Sequence, residues 1–170
     1  VGLIGASMGG AIAIELARLH PKKINRLLLL SPAGLTGRTM PIPPILDRLG
    51  VWFLSQPSVR RSICRQAFAD PVKSVGEKEE QIASLHLKVE GWGSSLASFA
   101  RSGGFANYGL PLPSQSLKVL FGEDDRILGA NQKTEAKDLL GPCFQEIKKC
   151  GHLPHLDHPE FVSNVWLQDF

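Results

Sequence analysis

No apolar stretch in this sequence is long enough to cross a bilayer. The leucine run at residues 27–30 falls far short of the roughly 20 apolar residues a spanning helix needs. Cysteine is scarce, and Cys64, Cys143 and Cys150 are odd in number and widely spaced, with no CxxC or Cys/His metal spacing. That argues against a disulfide framework or a zinc site and predicts reduced, mostly buried thiols in an intracellular compartment. Charge of one sign is never concentrated: 19 Lys and Arg stand against 16 Asp and Glu, for a net +3. The densest basic groups, Arg60, Arg61 and Arg65, then Lys22, Lys23 and Arg26, read as solvated faces. No nucleic-acid motif accompanies them, so no nucleic-acid partner is expected. A basic leader followed by an apolar run, an internal repeat and a low-complexity tract are all missing too. What remains is 170 residues, 43% apolar and 21% charged, enough for one domain with a sizeable core.

The pattern of apolar residues predicts an α/β protein. Residues 1–5 (VGLIG) read as a short buried strand, and AIAIELARLHP as a helix with Ile12, Leu16 and Leu19 on one face, stopped by Pro21. RLLLLS is a continuous apolar run, as expected of a parallel strand covered on both faces. The first thirty residues therefore predict a βαβ unit. From about residue 45 to Tyr108 the pattern turns helical, with stretches ILDRLGVWFLSQ, PSVRRSICRQAF, EKEEQIASLHLK and SSLASFARSGG. Alternation resumes with LKVLF as a strand, the loop GEDDRILGAN, the helix QKTEAKDLL and the short strand CFQEIKK. CGHLPHLDHPE reads as a loop and residues 159–170 as a final helix, with Pro159 in its first turn and Asp157 or His158 near its cap.

Three of these loops carry chemistry. Gly5-Ala6-Ser7-Met8-Gly9 matches Gly-x-Ser-x-Gly between a predicted strand and a predicted helix, the context that motif requires. A serine on so tight a turn crowds its neighbours two residues away, so glycines are expected there. The turn also puts the Met8 backbone N–H at a helix N-terminus, where an oxyanion is favoured. A serine at neutral pH needs a base, and His152 follows the last predicted strand. The base needs an orienting carboxylate, and Glu123, Asp124 and Asp125 follow the strand before it. The order Ser, acid, His at three carboxyl-end loops is that of one class of serine hydrolases. The spacing of His152, His155 and His158 raises a metal cluster, but Pro154 and Pro159 break the helix that would align them.

The segments VGLIGASMGGAIA, VLFGEDDRIL and CGHLPHLDHPEFV resemble the α/β-hydrolase superfamily in its lid-bearing branch. The pattern Gly-x-x-Asp selects Asp125 over Asp124. ARSGGF and DDRILGA look most like uncharacterised hydrolases of cyanobacteria and plastid-bearing organisms, which implies a cytoplasmic or plastid setting. The resemblance implies a partial α/β-hydrolase fold: strands five to eight of a parallel sheet, helices on both faces and a helical lid. Residues 1–33 and 113–170 would form the core and residues 34–112 the lid. The earlier strands and the His-Gly loop that usually supplies a second oxyanion N–H are expected upstream, so this piece is not expected to be a self-sufficient enzyme. A further implication is a catalytic set of Ser7, Asp125 and His152 with the Met8 N–H as oxyanion donor. No metal or organic cofactor is implied. The expected substrate is a small molecule, apolar to match the lid, cleaved as an ester or related acyl compound. A carbon–carbon bond hydrolase, a cofactor-free peroxidase-like enzyme and a non-catalytic or truncated member of the fold stand as alternatives. Dehalogenases and epoxide hydrolases of the superfamily use Asp where this chain has Ser7. Oligomeric state is not indicated.

Overall fold

The computed structural model describes residues 1–37, 40–104 and 109–168. Phe105 of ARSGGF, Tyr108 at the end of the predicted helical stretch, and Asp169 and Phe170 of the predicted last helix lie outside them. Four strands, β1 (Gly2–Ala6), β2 (Arg26–Leu30), β3 (Ser116–Gly122) and β4 (Phe144–Ile147), form one parallel sheet in the order β1-β2-β3-β4. Its register pairs Gly5 with Leu29, Leu29 with Val119, and Val119 with Phe144. Parallel neighbours need crossovers, and these are α1 (Met8–Leu19), then a helical insertion, then α7 (Ala130–Leu140). The insertion between β2 and β3 holds α2 (Pro44–Ser55), α3 (Pro57–Gln66), α4 (Pro71–Ser74), α5 (Glu77–Ile82) and α6 (Trp92–Arg101). After β4 come α8 (Pro154–Asp157) and α9 (Pro159–Gln168).

The run of four leucines explains the layering. Side chains alternate across a strand, so Leu27 and Leu29 face one side, where Ile14 and Ala17 of α1 and Ala136 and Leu140 of α7 cover them. Leu28 and Leu30 face the other, under Val162 and Val165 of α9. Each of the four is essentially fully buried, at roughly 1.5–3 kcal/mol apiece in transfer terms. In α1 the predicted apolar face is not the buried one. Ile12, Leu16 and Leu19 are exposed, and Gly10, Ala11, Ala13, Ile14 and Ala17 face the sheet. Small residues let the helix backbone approach the strands closely, and that decides its rotation.

The insertion starts its helices with Pro44 and Pro57, whose missing N–H costs nothing in a first turn. EKEEQIASLHLK, predicted as one helix, is broken. α5 ends at Ile82, and Leu85–Lys88 form a separate 3₁₀ turn. The Ser84 hydroxyl donates to the Glu80 carbonyl at 2.9 Å, one of the local bonds by which serine competes with helix continuation. α2 and α6 are joined by an ion pair between Arg101 and the fully buried carboxylate of Asp47. The predicted loop after Gly151 contains the single-turn helix α8.

Candidate active site

Each of the three chemistry-bearing loops leaves the carboxyl edge of its strand. Ser7 sits between β1 and α1 with φ 50° and ψ −119°, a conformation that costs a non-glycine residue on the order of 1–3 kcal/mol. The turn is over-determined by backbone bonds: Ser7 N–H donates to the Leu30 carbonyl, and Ala33 and Gly10 N–H groups both donate to the Ser7 carbonyl, each at 2.9 Å. A Cβ on Gly5 would stand 2.5 Å from the Gly9 carbonyl oxygen, so a side chain there would force the strand off the helix start. Gly9 differs from the expectation: a Cβ there meets nothing within 4 Å, because its open direction points away from the turn. The crowded helical glycine is Gly10, packed against Pro32.

The sequence-selected residues come together. Ser7 Oγ lies 2.9 Å from His152 Nε2, and His152 Nδ1 lies 2.8 Å from Asp125 Oδ2. The side chains of His152 and Asp125 are 6% and 1% exposed, which screens this chain of bonds from solvent. The other oxygen of Asp125, Oδ1, accepts the backbone N–H groups of Ile127 (2.8 Å) and Leu128 (3.0 Å). Burial pushes the Asp125 carboxyl upward. The hydrogen bond and charge of His152, with the Leu128 and Ile127 N–H groups, outweigh that and hold it below its ordinary value. Asp124 contributes a backbone N–H, donated to the Cys150 carbonyl at 2.8 Å, and no side-chain bond to His152. The Met8 N–H, first in α1, has no intrahelical acceptor by position. Cys150 is fully buried, and burial with the charges of Asp157, Asp125 and Asp124 pushes its thiol up to about 12, so it stays protonated. Among the described residues no group of three His, Cys, Asp or Glu is placed to hold a metal ion.

Sequence reasoning missed the residues that hold His152 in place. Asp157, near the expected cap of the last helix, does more than its place in the sequence indicates. Its Oδ2 accepts the Gly151 N–H (2.7 Å) and the Ala69 N–H (3.1 Å), tying the histidine loop to the link between α3 and α4 of the insertion. The Ala67 carbonyl accepts the His152 N–H at 2.8 Å. Arg126, next to Asp125, donates to the carbonyls of Phe68 (3.2 Å) and Ala69 (3.3 Å). Gly151 and Gly122 are the spacers: a Cβ on Gly122 would lie 2.0 Å from the Gly151 carbonyl, and one on Gly151 would lie 2.5 Å from the Ala67 carbonyl. The only sequence signal for this layer was the glycine preceding each of the two loops.

Ser7 and Met8 open onto a cavity of about 360 Å³ walled by Pro32, Leu35, Phe99, Phe121 and Leu128. None of its described lining residues carries a charge.

A sequence profile described as the alpha/beta hydrolase family matches residues 1–165. The chain is 25% identical over 174 residues to an alpha/beta hydrolase domain-containing protein, VTE7, of Arabidopsis thaliana, covering 99% of this chain and 52% of that one. It is 26% identical over 175 residues to a 2-hydroxy-6-oxononadienedioate/2-hydroxy-6-oxononatrienedioate hydrolase of a Pseudomonas species, covering 97% and 61%. In fold it is similar to a 2-hydroxy-6-oxo-6-phenylhexa-2,4-dienoate hydrolase of Rhodococcus, with TM-score 0.73 and 17% identity over 97% of this chain and 62% of that one. The chain thus spans between half and two thirds of the length of these relatives.

Proposed function

The chain belongs to the alpha/beta hydrolase family, its four-stranded parallel sheet being part of that fold, and from this premise we propose that it hydrolyses an ester or related acyl bond of an apolar small molecule through an acyl intermediate on Ser7. The hydrogen-bonded series Ser7–His152–Asp125 carries this reading. His152 Nε2 takes the Ser7 proton as Oγ bonds to the substrate carbonyl carbon, and the carbonyl electron pair moves to oxygen. The Met8 N–H faces that oxyanion from the helix start. Collapse expels the alcohol, which carries off the proton from His152. Water then repeats the sequence, giving its proton to His152 and returning Ser7 and the free acid. Asp125, kept ionised by its depressed pKa, fixes the imidazole tautomer and stabilises the imidazolium. The turn at Ser7 acts as a nucleophile elbow, and residues 34–112 as a lid above the 1–33 and 113–170 core.

The second reading is carbon–carbon bond hydrolysis, and it is favoured by the relatives whose names specify 2-hydroxy-6-oxo dienoic acids. Those substrates carry one or two carboxylates. The described lining of the Ser7 cavity offers them no cation, while it suits a neutral acyl chain or ring. A panel of neutral aryl and alkyl esters against vinylogous dienoates separates the two. Turnover of esters with no dienoate cleavage supports the ester reading; the reverse overturns it. Serine-reactive fluorophosphonate labels the protein and fails to label Ser7→Ala; undiminished labelling of that variant overturns the mechanism.

A further inference from the structure

A second cavity, about 470 Å³, lies between the helical insertion (α3, α5 and the 3₁₀ turn) and the segment that includes α8. It shares no lining residue with the cavity at Ser7. Its walls are largely apolar, with Ile63, Phe68, Ile82, Ala83, Leu153 and Leu156. Arg60 and one acid, Glu79, also line this space. Arg60 spends an Nη2 hydrogen on the Ala83 carbonyl, and its Nε is buried without a hydrogen-bond partner. The neighbouring acids do not answer it. Glu80 is paired with Arg61 and Arg65, and Glu79 turns its Oε2 back to the Gly76 N–H at 2.9 Å. Arg60 has no carboxylate partner among the described residues, and burial pulls its pKa below the ordinary arginine value.

A charged guanidinium that lines an apolar cavity with no carboxylate partner is costly unless a ligand anion meets it. We propose that this cavity is a binding site for an apolar carboxylate, its acid group on the Arg60 guanidinium and its tail among Ile63, Phe68, Ile82, Leu153 and Leu156. A planar carboxylate matches a guanidinium better than a spherical anion does, and the apolar walls require a hydrophobic tail behind it. The site adjoins the catalytic loop without being part of it. Leu153 follows His152, and the Ala67 carbonyl, on the same wall, accepts the His152 N–H. The proposal does not need the hydrolase reading to be correct, because binding here uses neither Ser7 nor turnover.

The test uses the Ser7→Ala protein, so that no ligand is consumed, with decanoate and decanol as probes in titration calorimetry above pH 7. Decanoate is expected to saturate a single site and to bind about tenfold or more tightly than decanol, the worth of one charge-assisted hydrogen bond. Arg60→Met is expected to remove that advantage and leave decanol binding unchanged. A diazirine-bearing decanoate analogue, photolysed on the Ser7→Ala protein, is expected to label peptides covering residues 60–68, 79–86 and 153–156. This mapping stands even if Arg60→Met fails to fold. No saturable binding, equal affinity for decanol, or labelling confined to the Ser7 cavity at Pro32 and Phe99 overturns the proposal.

Discussion

Replacing Ser7 removes the atom at one end of the hydrogen-bonded series, and the two substitutions available there separate chemistry from strain. Ser7→Ala keeps the positive φ and is expected to lower ester turnover by about 10³-fold or more with little change in Tm. Ser7→Gly loses the same activity but relaxes a backbone that L side chains rarely adopt. It should raise stability by about 1 kcal/mol relative to Ser7→Ala, measured by urea denaturation. Equal stability of the two would mean that the turn stores no strain. Asp157 belongs to the same scale but acts through another residue. With its Oδ2 holding the Gly151 and Ala69 N–H groups, Asp157→Asn is expected to lower kcat about tenfold or more with KM nearly unchanged, and Asp157→Glu to restore part of it. A fall in Tm with kcat intact would mark Asp157 as a structural clamp alone.

At the scale of elements, the strands and the loops after them were legible because short apolar runs bounded by glycine and proline have few other readings. VGLIG, RLLLL, LKVLF and CFQEIKK all fall on observed strands, although β1, expected to be buried, is an edge strand of the sheet with Ile4 exposed, and Ser7, Asp125 and His152 lie in the loops that follow three of them. What stayed hidden depends on rotation and long-range contact. The composition of α1 does not show that its alanines, rather than Ile12 and Leu16, would meet the sheet. Nor can local pattern show that Asp47 is buried on Arg101, or that Asp157 reaches residue 69. The contact between the acid and histidine loops is equally non-local, and it yields a sharp expectation. In Gly122→Ala a methyl would sit 2.0 Å from the Gly151 carbonyl, so the two loops must part. Fluorophosphonate labelling should fall together with Tm, whereas Leu28→Ala, buried under α9, should cost about 2–5 kcal/mol while residual folded protein still labels at the normal rate. Normal labelling in Gly122→Ala would show that the loop contact does not set the site.

At the scale of the whole molecule, the groups whose pKa values are displaced link stability to pH in two separate windows. His155 and His86 have pKa values lowered from 6.5, His155 by burial and then the charge of His152, His86 by burial and then the charge of Arg60. His155 also keeps a buried Nδ1 without a partner. For each, the unfolded chain binds the proton more readily. Their contribution is therefore present above pH 6.5 and is lost as pH falls from there through their lowered values. Asp125 is lowered from 3.8, because His152 and the Leu128 and Ile127 N–H groups overcome the upward push of burial. Its contribution is present above 3.8 and is lost only as pH falls through its depressed value. Urea midpoints measured between pH 8 and pH 3 should therefore decline first below pH 6.5 and again at the acid end. In His155→Gln with His86→Gln the first decline should flatten while the second persists. In Asp125→Asn the acid-end decline should shrink and the first should remain. A single decline near pH 4 in the unmodified protein would show that neither histidine is displaced, and an unchanged acid limb in Asp125→Asn would show that His152 and the two N–H groups do not hold that carboxylate in the ionised form.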